Sequence, residues 1–266
     1  MTPQDHIDAA GALLRAETTG QQIGLISRAY PSMAMDDAYA VQKAISAAKL
    51  AQGRRIIGWK IGLTSKAMQN ALGIDIPDSG ILFDDMVFDH GSQVPKGRFI
   101  EPRVEAEIAF VLGAPLEGAE ITREAVIAAT DYVAPALEIL DTRILRRDPE
   151  TGQTRTVLDT ISDNAANAGV VLGPQRHRLD AVDLRWTGAI VARGGEVEET
   201  GLGAGVLNDP VESVLWLARR MAQYGQRLKA GQIILSGSFI RPIECLPGST
   251  IRADFGPFGD VAIDFG

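Results

Sequence analysis

The chain has 266 residues, of which 45% are hydrophobic and 23% charged, a composition typical of a folded globular protein. Its 26 Lys and Arg residues against 34 Asp and Glu residues give a net charge of −8, which argues against nucleic acid as a partner. The single cysteine, Cys245, excludes an internal disulfide and a cysteine-rich zinc site. The first residues show no secretory pattern and no apolar run is long enough to span a bilayer, so the sequence predicts a cytoplasmic protein without membrane contact.

The pattern of apolar residues changes once along the chain. Over residues 1–53 they recur at spacings of three and four, which predicts a helical N-terminal segment. Over residues 54–266, short apolar runs separated by Gly, Pro and Asp predict a β-rich catalytic domain and thus an α+β protein. Strands are expected at residues 56–63, 104–111, 132–140, 232–235, 250–255 and 260–265, with helices at 122–130 and after the Asn208-Asp209-Pro210 start signal.

Three glutamates on predicted strands are the most informative local feature. Glu105 and Glu107 are two residues apart, so a strand places both carboxylates on one face. At about 4 Å, two like charges cost about 1 kcal/mol in water and about 4 kcal/mol at an effective dielectric constant of 20. Glu138 is the only charge in an apolar run. Two interpretations remain open: a solvated strand edge with an arginine partner for Glu138, or three ligands of a hard divalent cation.

Other polar positions have an ordinary structural explanation. Lys60 lies in an apolar run and is either an amine that reaches solvent or a buried functional group. Asp78, between Pro77 and Gly80, has the composition of a turn. Residues 162–164 are predicted to cap an apolar helix that follows them. The glycines at 201–205 lack the spacing of a nucleotide-binding loop, and the three histidines are too scattered for a zinc site or a Ser-His-Asp triad.

With these residues in view, the sequence resembles the hydratase/decarboxylase family of the fumarylacetoacetate hydrolase superfamily. Within that family it is most similar to the hydratases of bacterial meta-cleavage pathways. The resemblance covers essentially the whole chain, and the loop around Asp148-Pro149-Glu150 favours the hydratases over the decarboxylases. The segments that carry it are 36–42, 60–69, 105–107, 131–133, 135–138, 159–169 and 231–235.

The resemblance implies a mixed β-sheet roll surrounded by helices, a homo-oligomer, and Mg²⁺ or Mn²⁺ held by Glu105, Glu107 and Glu138. It also implies that Lys60 contacts the substrate, or transfers a proton if burial lowers its pKa. Asp78 matches the acid/base carboxylate of the family. Ser238 matches a small hydroxyl residue beside the substrate.

The implied reaction is the addition of water to a 2-hydroxy-2,4-diene-1,7-dioate by way of its 2-oxo-enedioate, giving 4-hydroxy-2-oxoheptane-1,7-dioate in 4-hydroxyphenylacetate (homoprotocatechuate) catabolism. The metal ion would stabilise the enolate. The alternatives are a 4-oxalocrotonate decarboxylase, a 2-oxopent-4-enoate hydratase, or a non-catalytic partner of a pathway enzyme. The small dicarboxylate requires a cation at its far end. Arg143, Arg146, Arg147, Arg155 and Arg241 are candidates, although a surface role is expected for each alone.

Overall fold

The computed structural model describes residues 1–66, 69–70, 76–118 and 120–266, so Ala67 and Met68 of the segment 60–69 lie outside the described residues. Three helices come first: α1 (Pro3–Thr19), α2 (Ile26–Ala29) and α3 (Met35–Ala51). Thr2 caps α1 by accepting a hydrogen bond from Asp5 N, and Asp37 accepts one from Ala34 N at the start of α3. These helices pack on one another and on Ile144 and Ile161 through an apolar cluster.

The larger sheet contains the strands that surround the predicted site. In spatial order these are β2 (Asp78–Phe83), β1 (Ile56–Gly62), β10 (Ile233–Leu235), β5 (Arg103–Leu112), β6 (Thr130–Leu140), β7 (Asn167–Leu172) and β3 (Val87–Phe88), with β11 (Ile243–Glu244) also paired to β5. Strand β10 runs parallel to β1 and antiparallel to β5, so the sheet is mixed. Strands β5 and β6 are buried on both faces over most of their length, which explains their nearly continuous apolar character.

A second sheet packs against the first through one extended apolar core. Its strands, in spatial order, are β4 (Gln93–Val94), β13 (Asp260–Phe265), β12 (Ser249–Asp254), β8 (Gly188–Arg193) and β9 (Glu196–Leu202). The remaining helices are α4 (Arg123–Ala129), α5 (Val157–Ser162) and α6 (Pro210–Gln223). No helix within the described ranges is both long and apolar enough to cross a membrane. Two sheets with peripheral helices confirm the expected α+β class.

One local prediction, concerning residues 162–164, is wrong. Residues 162–164 do not cap a following helix, because α5 ends at Ser162 and a short turn leads directly into β7. Asn164, Ala165 and Ala166 each have a positive φ, between 53° and 58°, a region that non-glycine residues rarely adopt. The side chain of Asn164 holds this turn against β2 by accepting from Ile81 N and donating to Ile81 O.

Candidate metal centre and active site

The three predicted glutamates meet on neighbouring strands. Glu105 on β5 lies directly opposite Glu138 on β6, and Glu107 follows two residues later on the same face of β5. One carboxylate oxygen from each glutamate lies within 4.8 Å of the others. Glu107 and Glu138 are fully buried and Glu105 is partly exposed. The antiparallel register therefore brings the three acidic groups together. Their burial excludes the alternative of a solvated strand edge for Glu107 and Glu138.

Burial and mutual repulsion disfavour the ionised form of this cluster. Burial, followed by the charge of Glu138, raises the pKa of Glu105 to about 8. Burial, with both neighbouring carboxylates, raises the pKa of Glu107 well above its ordinary value, and burial raises that of Glu138. Gly237 N donates a hydrogen bond of 2.7 Å to Glu107 Oε2. No described residue donates one to Glu107 Oε1 or to either oxygen of Glu138. Converging carboxylate oxygens without donors fit a hard divalent cation.

Lys60 on β1 is the positive charge beside this cluster. Its Nζ lies 3.5 Å from Glu138 Oε1, and the residue is 4% exposed. Burial alone would lower the pKa of Lys60, but the carboxylates of Glu138, Asp78, Glu105 and Glu107 raise it above its ordinary value. The condition for proton transfer by Lys60, a pKa lowered by burial, is therefore not met without a metal ion. Lys60 is a protonated donor in this form.

The sequence context of Asp78 suggested a turn, but the structure places Asp78 in a strand. It begins β2, is buried, and pairs with Gly62 of β1 in the sheet. A Cβ at Gly62 would lie 2.2 Å from Asp78 Oδ1 and 3.0 Å from Lys60 Nζ, so only glycine leaves room for both groups. Burial raises the pKa of Asp78, although Lys60 opposes this shift. Asp78 Oδ1 has no donor among the described residues, which leaves it available to a substrate.

Ser238 lies near the cluster, but its hydroxyl is engaged with the backbone. Its Oγ donates to Ile240 O at 2.9 Å and accepts from Ile240 N at 3.2 Å. Sequence reasoning missed its neighbour Ser236, which is fully buried and whose hydroxyl has no partner within the described part of the chain. It also missed Thr64, whose Oγ1 would lie 2.4 Å from a Cβ at Gly237. The sequence signal for Ser236 was its position two residues before Ser238, a predicted site residue.

The loop arginines are mostly engaged elsewhere. Arg143 is buried, against the expected surface role, because its guanidinium donates to Asp163 Oδ1 at 2.6 Å and to Asp163 O at 2.8 Å. Arg146 pairs with Glu101, and Arg155 donates to the hydroxyl of Thr142. Arg241 is exposed and pairs with Glu199. The four arginines therefore stabilise the loop or the surface in this structure.

The fold and this carboxylate triad together define a divalent-metal-dependent enzyme of the fumarylacetoacetate hydrolase fold. A 4-oxalocrotonate decarboxylase from Pseudomonas putida G7, complexed with magnesium and adipate, superposes with a TM-score of 0.93 at 34% identity, covering 100% of this chain and 99% of the other. A fumarylpyruvate hydrolase from Pseudomonas aeruginosa, at 15% identity and a TM-score of 0.57, shares the fold over 78% of this chain and 88% of its own.

Sequence comparison identifies the relatives of this chain within the fold. No family model matches the chain. The 2-oxo-hept-4-ene-1,7-dioate hydratase of Escherichia coli is 51% identical over 98% of this chain and 97% of the relative. A 2-keto-4-pentenoate hydratase of Paraburkholderia xenovorans is 40% identical over 100% of this chain and 96% of the relative. The chain belongs to the hydratase/decarboxylase family of the fumarylacetoacetate hydrolase superfamily, and its class within that family is a hydratase, a carbon–oxygen lyase.

Proposed function

We propose that the chain is a hydratase of a 2-oxo-heptenedioate, adding water to give 4-hydroxy-2-oxoheptane-1,7-dioate in 4-hydroxyphenylacetate catabolism. The identity of 51% to a hydratase of that name carries this proposal. The relatives that act on pentenoates reach 40% and a 4-oxalocrotonate decarboxylase reaches 35%. A substrate with two carboxylates would need positive charge beyond that of Lys60 at this acidic site.

We assign Glu105, Glu107 and Glu138 as ligands of Mg²⁺, with Mn²⁺ as the alternative ion. The unpartnered oxygens and raised pKa values of these carboxylates support the assignment, because a cation relieves both. When bound, the ion supplies a Lewis acid for the oxygens of a 2-oxo acid. The three side chains hold these charges rigidly, since each comes from the interior of a long strand.

Lys60 and Asp78 divide the remaining work in this proposal. Lys60 stays protonated among its four carboxylate neighbours, so it binds the C1 carboxylate or the C2 oxygen as a cation. Asp78 carries the mobile proton at Oδ1, the oxygen without a donor in the described residues, because burial raises its pKa. Ketonisation of the dienol needs a proton at C5, and Asp78 Oδ1 and Lys60 Nζ both lie beside Gly62. Ser238 orients the adjoining Gly237 turn.

The sequence predictions that concern the whole molecule remain part of this proposal. We assign residues 1–53 as a helical N-terminal segment and residues 54–266 as the catalytic domain. The apolar cluster that joins the first helices to Ile144 and Ile161 supports a fixed position for that segment. A cytoplasmic location and a homo-oligomer complete the proposal.

The decisive experiment is an assay of purified protein with the dienol of the seven-carbon diacid. Loss of dienoate absorbance that requires Mg²⁺, with a product heavier by one water, is the expected result. Carbon dioxide release from 4-oxalocrotonate in place of hydration would instead identify a decarboxylase, and the TM-score of 0.93 to such an enzyme makes this the second candidate. Absence of turnover with either compound would overturn the seven-carbon and decarboxylase assignments and leave two alternatives, a 2-oxopent-4-enoate hydratase or a non-catalytic partner.

A further inference from the structure

A stacked arginine lies beside the site and was absent from the sequence-based candidates. Arg220 is on α6, which packs against β1, the strand of Lys60. Its guanidinium carbon lies 4.6 Å from the centre of the Tyr39 ring, 5.5 Å from Trp216 and 5.6 Å from Tyr224. Three aromatic faces hold the planar group in place and leave its N–H edge for another partner.

The charged groups form a series that leads away from the metal ligands. Glu138 is next to Lys60, and Lys60 and Asp78 flank Gly62 from either side. Arg220 is close enough to Asp78 and to Tyr39 to oppose the rise in the pKa of both groups. Tyr39 in turn lies near Asp78 and Ser79. The series therefore begins at the glutamates, passes Lys60 and Asp78, and ends at Arg220.

The charge balance of the site requires a cation at the end of this series. With Asp78 protonated, a bound divalent ion and Lys60 only balance the three glutamates, so the site holds no excess positive charge for a substrate. A dianionic substrate adds two more negative charges, and its second carboxylate is the group that a metal ion at the first carboxylate cannot reach. No carboxylate of a described residue lies within 4 Å of Arg220, whereas Arg143, Arg146 and Arg241 are each paired.

We infer that Arg220 binds the distal carboxylate of the substrate and thereby selects dicarboxylates over monocarboxylates. This inference rests on the proposed function and specifies its substrate class. The planar fork donates two parallel hydrogen bonds to the carboxylate while the aromatic rings hold the plane in place. Arg220 is a specificity-determining residue in this role and takes no part in the proton transfers.

The test compares two unreactive probes of equal chain length, 2-oxoheptanedioate and 2-oxoheptanoate, by calorimetry with Mg²⁺ present. The wild type is expected to prefer the diacid. Arg220→Met should weaken diacid binding by about 10- to 100-fold, the loss expected for a charge-assisted pair, and change monoacid binding by less than about 3-fold. Arg220→Lys, which keeps the charge and loses the fork, should retain part of the preference.

Arg219→Met is the matched control, since Arg219 is on the same helix and is exposed, with its Nε donating to Ile121 O. It should behave as wild type. Equal losses for both probes, or no loss, in folded Arg220→Met would overturn the inference and leave the proposed function intact. Hydration of the five-carbon dienol but not of the diacid by wild type would overturn both the substrate assignment and the inference. If Arg220→Met fails to fold, Arg220→Lys decides the question. A diacid preference and a diacid binding enthalpy equal to those of wild type in Arg220→Lys would overturn the inference.

Discussion

Lys60 Nζ lies 3.5 Å from Glu138 Oε1, and the two side chains are only 5% and 0% exposed. This buried pair crosses the gap between β1 and β6, with two other strands between them in the sheet. A lone buried carboxylate would be costly, and Lys60 offsets part of that cost. A positive charge at Lys60 would oppose a cation at the glutamates, so the proposed metal affinity and the proposed substrate binding by Lys60 would be linked.

Replacing Lys60 tests that linkage. In Lys60→Met, Mg²⁺ affinity should stay equal or rise, because a competing positive charge is removed, while turnover should fall by about 10²- to 10⁴-fold. Calorimetry and the dienoate assay measure the two effects separately. Lys43→Met, on an exposed position of α3, is the control and should change neither. A variant with an unchanged rate would remove Lys60 from the mechanism.

Loss of a single glutamate should remove the metal ion without unfolding the protein. Glu105→Gln, Glu107→Gln and Glu138→Gln should each weaken Mg²⁺ binding by more than about 100-fold, beyond the effect of losing a group that only orients a ligand. In chelator, Glu105→Gln and Glu107→Gln should be at least as stable as wild type, because an amide avoids the cost of ionising a buried carboxyl beside like charges. Glu196→Gln, at an exposed site, is the control. Unchanged affinity would exclude that glutamate from the ligand set.

Metal affinity should depend on pH across the neutral range. The pKa of Glu105 is about 8 in the metal-free protein and that of Glu107 is also raised, so Mg²⁺ must displace protons to bind. Affinity is therefore expected to rise between pH 6 and pH 8. Calorimetry in two buffers with different ionisation enthalpies should detect proton release, and Glu105→Gln should release fewer protons. Equal heats in both buffers at pH 7 would show that the carboxylates are already ionised.

Stability of the metal-free protein should change in the opposite direction. A carboxyl group with a raised pKa binds more protons in the folded state than in the unfolded state. Its contribution to stability is therefore complete below its unfolded-state pKa and is lost as the pH rises through the folded-state pKa. With the pKa of Glu105 at about 8, raising the pH from 6 to 8 in chelator should cost about 2 kcal/mol for that one group. Denaturant melts of wild type and Glu105→Gln, with and without Mg²⁺, measure it. A wild-type midpoint that rises over this interval would contradict the assigned cause.

Gly62→Ala should impair catalysis while keeping the metal. The added Cβ would lie 2.2 Å from Asp78 Oδ1, so the carboxylate must move, and a displacement of about 1 Å can cost about 100-fold in rate. Mg²⁺ affinity should change little because the glutamates are on other strands. Gly24→Ala, where a Cβ meets nothing within 4 Å, controls for the general effect of alanine. Wild-type kinetics in Gly62→Ala would show that the position of Asp78 is unimportant.

Periodicity located the glutamates correctly because a spacing of two on a strand has one geometric meaning. It could not show that Glu138 would align with Glu105, since strand register is set by packing over the whole sheet. Asp78 was interpreted as a turn residue because Pro and Gly flank it, yet pairing of β2 with β1 overrides that local preference. The resemblance to a family supplied its assignment where residue patterns did not.

The buried position of Arg143 and the role inferred for Arg220 were beyond sequence reasoning for a related reason. Nothing near Arg143 in sequence identifies Asp163 as its partner, because α5 lies between them. Arg220 looked like an ordinary charge on an amphipathic helix. Its proximity to Tyr39 depends on how the N-terminal helices dock, which the amphipathic pattern of either helix leaves undetermined.

Strand β10 has only three residues, yet it separates the strand of Lys60 from the strand of Glu105 and Glu107. It comes late in the chain and pairs with a strand from the first quarter. During synthesis, a ribosome must therefore complete residue 237 before Gly237 N can reach Glu107 and the lysine can take its place opposite the glutamates. Contacts so distant in sequence form slowly, and the acidic strands remain without their lysine until then. Lys60 and the glutamates are therefore expected to come together only late in the folding of a newly made chain.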